Sequence, residues 1–536
     1  MNRSRRTISL LLLFLIWVAP LTAQTPAPVA SPAPKTVDEL RTRIQQILAK
    51  PELAPAMVGV KVVSLDSGRV LFEENAAKLL RPASNMKLYT VATALDRLTP
   101  DYRFLTSVYA SKPDSQGVIH GDVRIYGRGD PSFAARFNNG DYFKAIDELA
   151  ARIVAAGVKR VEGDLVGDET HFIGPKYGAG WEWEDLTWYY GAEVTPLSVN
   201  DNALDLFVKP GPAVGQPAVI TTGPPDPLLT IVNRVMTGPK GLKRDLSVHR
   251  GLNENTITIT GTIPFEDKGY TGGIGISHPA LLFIYMLRSS LAQKGVTIAG
   301  KSRVSGAVIT PGEAMLRRVN WPQDEIAAIQ SPPLSVIAAQ TMKPSQNLYT
   351  ELLLRTLGTL PPPPPQPPAP SPTPFVVGPV SEQGGLEFVR AFLRTAGIRP
   401  ESLVLDDGSG LSRSDMITAE ATVQLLQFMD KHRYAAAFRD ALPIAGVDGT
   451  LRTRLRGTPA EKNLRAKTGS LSSAASLAGY VTTAGGEKLA FAIMVNNYPR
   501  DFDPRSACID PIAVLLASFT AKPEVSNSKP ESKDVP

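Results

Sequence analysis

Arg81-Pro82-Ala83-Ser84-Asn85-Met86-Lys87-Leu88-Tyr89-Thr90 is the stretch on which the fold of this chain turns. Leu88, Val91, Ala92 and Leu95 recur at i, i+3, i+4 and i+7, the pattern of one buried helix face. Pro82 and Ser84 stand where a helix begins. Ser84 and Lys87, three residues apart, then share a face. A serine hydroxyl at a helix N-terminus with an amine in reach is a candidate activated nucleophile. The spacing alone decides little, because Ser526 and Lys529 repeat it in a polar, proline-containing tail that holds nothing rigid. Ser84 needs partners from elsewhere in the chain.

With 536 residues, 43% hydrophobic and 20% charged, the chain has room for several domains and a large core. Its formal net charge of +6 includes Arg3, Arg5 and Arg6, so the remainder is too mildly basic to argue for nucleic acid. Those arginines, the apolar run 8–18 and Leu21-Thr22-Ala23 predict a signal peptide over 1–23 and an exported, periplasmic protein. The apolar run is short for a spanning helix and none follows it, which leaves peripheral membrane or wall association as the only membrane contact expected. The single cysteine, Cys508, is expected to be a packed small residue.

Residues 24–36 read as a linker rich in Pro, Ala and Ser. A helix is expected over 37–50, capped by Thr36, then strands over 57–64 and 69–73 about a turn at Asp66-Ser67-Gly68. From about residue 105 short β-like runs punctuated by glycine take over, and this middle region reads as β-rich domains inserted into a parent domain. Trp181, Trp183, Trp188, Tyr189 and Tyr190 concentrate aromatics; they suit stacking on sugars, but filling small inserted cores is the simpler role. Helices are expected over 142–156, 278–294, 334–341, 348–357, 386–396 and 422–432. Lys467-Thr468-Gly469-Ser470 opens a hairpin of 474–482 and 488–496. Residues 360–374, nearly all proline, predict a stiff exposed excursion, and 521–536 a disordered tail.

Three short motifs therefore stand in order: Ser84-x-x-Lys87, Ser345-x-Asn347 and Lys467-Thr468-Gly469. Each sits in a fitting local context: a helix start, an inter-helix loop, and a strand that opens a hairpin. There is no Gly-x-Ser-x-Gly elbow, and the five histidines show no metal-site spacing, so no metal or other cofactor is expected. The chemistry follows from the residue types. Ser84 attacks an acyl carbon once a base takes its proton, and neutral Lys87 is that base. Partial burial and a cationic neighbour lower a lysine pKa, and Lys467 is such a neighbour for Lys87. Ser345 relays a proton to the leaving amine, and Asn347 holds Lys87 and the substrate amide. Lys467 and Thr468 bind a terminal carboxylate, beside Gly469. The backbone N–H groups of Ser84 and Ser470 form an oxyanion hole.

The chain resembles the D-alanyl-D-alanine carboxypeptidase/endopeptidase family, the class C low-molecular-mass penicillin-binding proteins. Further stretches carry the resemblance: Asp407-Gly408-Ser409-Gly410-Leu411-Ser412-Arg413, Gly446-Val447-Asp448-Gly449-Thr450-Leu451 and Lys467-Thr468-Gly469-Ser470-Leu471. It implies an α/β (α+β) fold: a transpeptidase/β-lactamase-like domain with an antiparallel sheet flanked by helices, interrupted by nested β-rich domains. The parent domain is expected over 37–106 and 321–520, a second domain over 107–170 and 297–320, and a third over 171–296. The implied substrates are D-Ala-D-Ala termini or cross-links on peptidoglycan peptide stems, with acylation by β-lactams. Asp168 and Arg413 are implied to recognise the stem. Gln346 departs from the family's usual Asp, and Ser472 from the Gln of some relatives. A β-lactamase-like hydrolase and a weakly catalytic wall-binding scaffold are the alternatives.

Overall fold

The strand Lys488–Asn496 shows how the centre of the molecule is built. Leu489, Phe491, Ile493 and Val495 enter one hydrophobic core, and Ala490, Ala492 and Met494 enter another. Successive side chains of a strand point to opposite faces, so a strand covered on both sides reads as a continuous apolar run. The computed structural model describes residues 32–306, 324–361, 381–400 and 403–522. The expected signal peptide, most of the linker, the proline-rich run from 362 and the tail from 523 lie outside the described residues.

Five antiparallel strands make the central sheet, in the order Arg465–Leu471, Ala474–Thr482, Lys488–Asn496, Met57–Ser64, Val70–Glu74. Residues from both ends of the chain thus pair directly, Met57 opposite Asn496. The helices Val37–Leu48 and Asp510–Ser518 cover one face, with buried Cys508 among them. Thr36 caps the first of these through its Oγ1, which accepts from Glu39 N at 3.2 Å. The other face carries Met86–Leu98, Leu334–Met342, Asn347–Leu357, Ser381–Thr395 and Ala419–Asp430. These elements follow the expected pattern to within a few residues. The strand that carries Lys467 is a full edge strand of the sheet, with Lys467 paired to Ala478.

The chain leaves this body through Leu105–Ala110 and returns through Asp324–Gln330, and these two strands pair antiparallel. With Val123–Tyr126, Leu165–Asp168 and Ser302–Val304 they form a second five-stranded sheet. The helices Lys144–Ala155 and Pro279–Gln293 pack on its core. Two three-stranded sheets lie between residues 203 and 275: one of Thr230–Gly238, Thr256–Pro264 and Asp245–Arg250, the other of Tyr270–Gly275, Ala203–Lys209 and Val219–Gly223. The aromatic stretch does not fill their core as expected. Trp183 is 64% and Tyr189 42% exposed, while Trp181 donates its Nε1–H to Asp407 of the parent domain at 2.8 Å.

Candidate active site

Ser84 sits in a 3₁₀ turn, Ala83–Asn85, that feeds the helix Met86–Leu98. Two glycines make room for that turn. A Cβ on Gly469 would meet Ser476 Oγ at 2.1 Å and Pro82 O at 2.5 Å; one on Gly410 would meet Ala83 O at 1.9 Å. A side chain at either position would displace the nucleophile. Ala83, at φ +47°, adopts left-handed backbone, which costs a non-glycine residue about 1–2 kcal/mol. Ser345, at φ +65°, does the same. Such strain persists where the surroundings dictate the geometry, commonly at active sites.

Lys87 is fully buried. Its Nζ lies 3.0 Å from Ser84 Oγ, 2.6 Å from Asn347 Oδ1 and 2.7 Å from Ser409 O. Burial lowers its pKa from 10.5 to about 8, against the opposing charges of Asp407, Glu351 and Asp415. The partners decide where the lone pair of the neutral amine goes. Asn347 Oδ1 and Ser409 O can only accept, so both N–H bonds stay with them and the lone pair faces Ser84 Oγ. That is the geometry of a general base.

The anchors of Lys87 are themselves held. Asn347 donates through Nδ2 to Tyr190 O at 2.8 Å, so backbone of the inserted region reaches the catalytic centre. Ser409 belongs to a loop wrapped around the buried Asp407, whose carboxylate accepts from the N–H groups of Ser409 (3.0 Å), Gly410 (2.6 Å), Leu411 (3.0 Å) and Ser412 (2.9 Å). Burial first, and the charge of Asp407 second, push Glu351 and Asp415 well above the usual carboxylate range.

Lys467, also buried, donates to Ser345 Oγ and to Thr468 O, each at 2.8 Å. Burial, then the charge of Lys87, hold its pKa well below the usual lysine range. Of the two expected causes, burial accounts for the shift at Lys87, and the facing amine is the second cause of the shift at Lys467. Gln346 Oε1 accepts from Leu348 N at 3.2 Å and so caps the helix Asn347–Leu357.

Ser84, Ser345, Asn347, Thr468, Ser470 and Arg413 line one cleft of about 350 Å³, with Ser472 at its edge. Lys87 and Lys467 lie in its floor, and Thr468 Oγ1 donates to Thr450 Oγ1 at 2.8 Å. Asp168 is not among them. It is fully buried in the strand Leu165–Asp168, where Arg124 Nη1 holds it at 2.6 Å, so a bound stem has no route to it. The acid beside Arg413 is Asp185: Arg413 Nη1 meets Asp185 Oδ2 at 2.5 Å and Nη2 meets Oδ1 at 3.2 Å, with Glu182 3.1 Å away. Asp185 belongs to the aromatic stretch that was read for its rings, and its acids were the signal to follow.

A serine with a buried lysine as base, an Asn anchor and a second lysine on an edge strand defines a serine acyl-transfer enzyme. The sequence model of the D-Ala-D-Ala carboxypeptidase 3 (S13) family matches residues 40–519, and the chain belongs to that family. It is 34% identical over 527 residues to the D-alanyl-D-alanine carboxypeptidase of Actinomadura sp. (strain R39), covering 96% of this chain and 89% of that one. The D-alanyl-D-alanine carboxypeptidase DacB of Haemophilus influenzae is 25% identical over 447 residues, covering 82% and 85%. The crystal structure of penicillin binding protein 4 (dacB) from H. influenzae shares the fold, with a TM-score of 0.72 at 23% identity over 89% of this chain and 99% of that chain.

Proposed function

We propose that this protein is a serine DD-peptidase that cleaves the D-Ala-D-Ala bond of peptidoglycan stems through an ester on Ser84, and that penicillin acylates the same serine. The observation that carries the reading is the buried amine of Lys87, 3.0 Å from Ser84 Oγ, with its other two partners restricted to accepting. Neutral Lys87 takes the Ser84 proton as Oγ attacks the penultimate carbonyl carbon. The backbone N–H groups of Ser84 and Ser470 receive the developing oxyanion. Collapse of the tetrahedral intermediate breaks the C–N bond, and Ser345, bridged to Lys467, relays to the departing amine the proton that Lys87 took from Ser84, which leaves Lys87 neutral. Lys467 and Thr468 hold the terminal carboxylate, whose negative charge favours the protonated form of Lys467. Water then hydrolyses the ester with Lys87 as base again. Gly469 keeps the strand against the Ser84 turn. Arg413, with Asp185, is a contact for the stem's side chain.

The substrate lies outside the cytoplasmic membrane, which agrees with the leader over 1–23, and we place the enzyme there, in the periplasm, with peptide stems and β-lactams as its partners. Among the described residues no helix is long and apolar enough to cross a membrane. Incubation with a fluorescent penicillin tests the reading: wild type takes up one equivalent, and Ser84→Ala takes up none. An unlabelled wild type refutes the acyl-enzyme, and rapid turnover of the drug makes the protein a β-lactamase. Mass analysis of digested peptidoglycan then separates loss of terminal D-Ala from opened cross-links.

A further inference from the structure

Beside the catalytic cleft lies a second cavity of about 440 Å³, within the roughly 300–1,000 Å³ range of small-molecule sites. Tyr189 and Pro344 line both, so the two share a wall. We propose that this second cavity is a saccharide subsite, which takes an N-acetylated amino-sugar ring at the sugar-bearing end of the peptide stem. The proposal rests on the DD-peptidase reading, since that stem is what the cleft would hold.

The floor is the three-stranded sheet of Tyr270–Gly275, Ala203–Lys209 and Val219–Gly223. Gly273, Asp205 and Gly223 stand side by side across its strands, so they face the same way. A Cβ on Gly273 would meet Tyr189 Cβ at 3.0 Å, and one on Gly223 would meet Tyr142 Oη at 2.8 Å. Each glycine leaves the room its tyrosine occupies, and Asp205 stands between the two rings. Tyr142 Oη donates to Asp205 Oδ2. The result is a platform of two aromatic side chains with a carboxylate at its centre.

The opposite wall comes from the catalytic loop. Gln346 is 1% exposed and lines the cavity; its Oε1 caps a helix, while its Nε2 finds no partner among the described residues. A buried amide donor left unpaired is costly and calls for an acceptor. On a third side Asp201 is held by Arg136, Nε to Oδ2 at 3.0 Å, and by Tyr349. Asn200, Asp201 and Asn202, at φ +45°, +60° and +50°, all adopt left-handed backbone to bring that acid to the cavity.

These groups fit a pyranose better than a charged ligand. A sugar ring has apolar C–H faces and a rim of hydroxyls; aromatic faces meet the first, and planar carboxylate and amide groups meet the second. Arg136 offsets Asp201, which leaves Asp205 as the one uncompensated charge of the lining. The position agrees as well. Tyr189 is four residues beyond Asp185, which pairs with Arg413 at the rim where the stem would enter.

The test compares two pentapeptides ending in D-Ala-D-Ala, one carrying N-acetylmuramic acid at its N-terminus and one carrying only an acetyl group. Wild type should show a KM lower by about fivefold for the sugar-bearing substrate, the scale of one aromatic or hydrogen-bonded contact, with kcat alike. In Asp205→Asn and Tyr142→Ala that preference should vanish, while the sugar-free peptide and penicillin acylation are unaffected. Equal KM values in wild type overturn the proposal, as does a preference that survives both variants. A preference abolished by acetylating the stem's free amine overturns it too, since the cavity would then be taking a cation. If Tyr142→Ala does not fold, shown by lost penicillin acylation, Asp205→Asn and Tyr142→Phe decide. Failure of wild type to be acylated at all removes the DD-peptidase reading itself.

Discussion

The floor of the cleft and its rim are built differently. Around Lys87, Asn347 and Ser409 are buried and Ser84 is half-buried, and the amine is shifted by burial more than by any neighbouring charge. At the rim, Glu182 is 52% exposed and Arg413 23%, so that pair stands partly in water, while Asp185 is buried. Burial makes each contact of the floor costly to lose, because a removed partner leaves a desolvated group unpaired. Solvent at the rim screens the Arg413–Glu182 contact, so that part of the rim can adjust selectivity at little cost to stability. On the proposed function, the contrast assigns reactivity to desolvation at the floor and discrimination to the rim.

Substitutions can break that contrast. Ser84→Ala should abolish acylation, and Lys87→Met should slow it by about 10²–10⁴-fold, the usual worth of a positioned base; stopped-flow labelling with penicillin measures both. A Lys87→Met enzyme within tenfold of wild type would move the base elsewhere. Asp407→Ala should come next. It strips the acceptor from four backbone N–H groups and from Trp181, and should destabilise the protein by about 3 kcal/mol or more, read as a lowered Tm with slower acylation. Arg413→Ala should be mildest: a KM for stem peptide raised by about tenfold or less, with penicillin acylation changed less than about threefold and Tm lowered by less than in Asp407→Ala, the buried Asp185 losing its partner. Should Arg413→Ala lower Tm as much as Asp407→Ala, the rim would be structural and the contrast would fall.

Where the chain alone sufficed, the reason was local. The strand 57–64 and the hairpin 474–482 and 488–496 were legible because runs of β-branched and apolar residues were bounded by turn residues. Ser84 and Lys87 could be paired because helical spacing alone brings them together. Ser345, Asn347 and Lys467 needed the ordered motifs, since residues so far apart have no local signal of contact. What stayed hidden is non-local. Asp407 reads as one acid of a glycine-rich loop until its hydrogen bonds are seen. Asp168 is implied by the resemblance alone, and nothing in the sequence tells that Asp185 is the acid that faces Arg413. The row Gly223, Asp205 and Gly273 exists only through strand register.

The central claim is that Lys87 acts as a neutral base because burial brings its pKa to about 8. The pH dependence of Ser84 acylation tests it most directly. Below that pKa the amine is protonated and cannot accept the serine proton, so the second-order rate constant for penicillin should fall about tenfold per unit of falling pH, and level off above pH ~8. A rate constant that is flat between pH 6 and 9, or that rises as pH falls, would contradict the account.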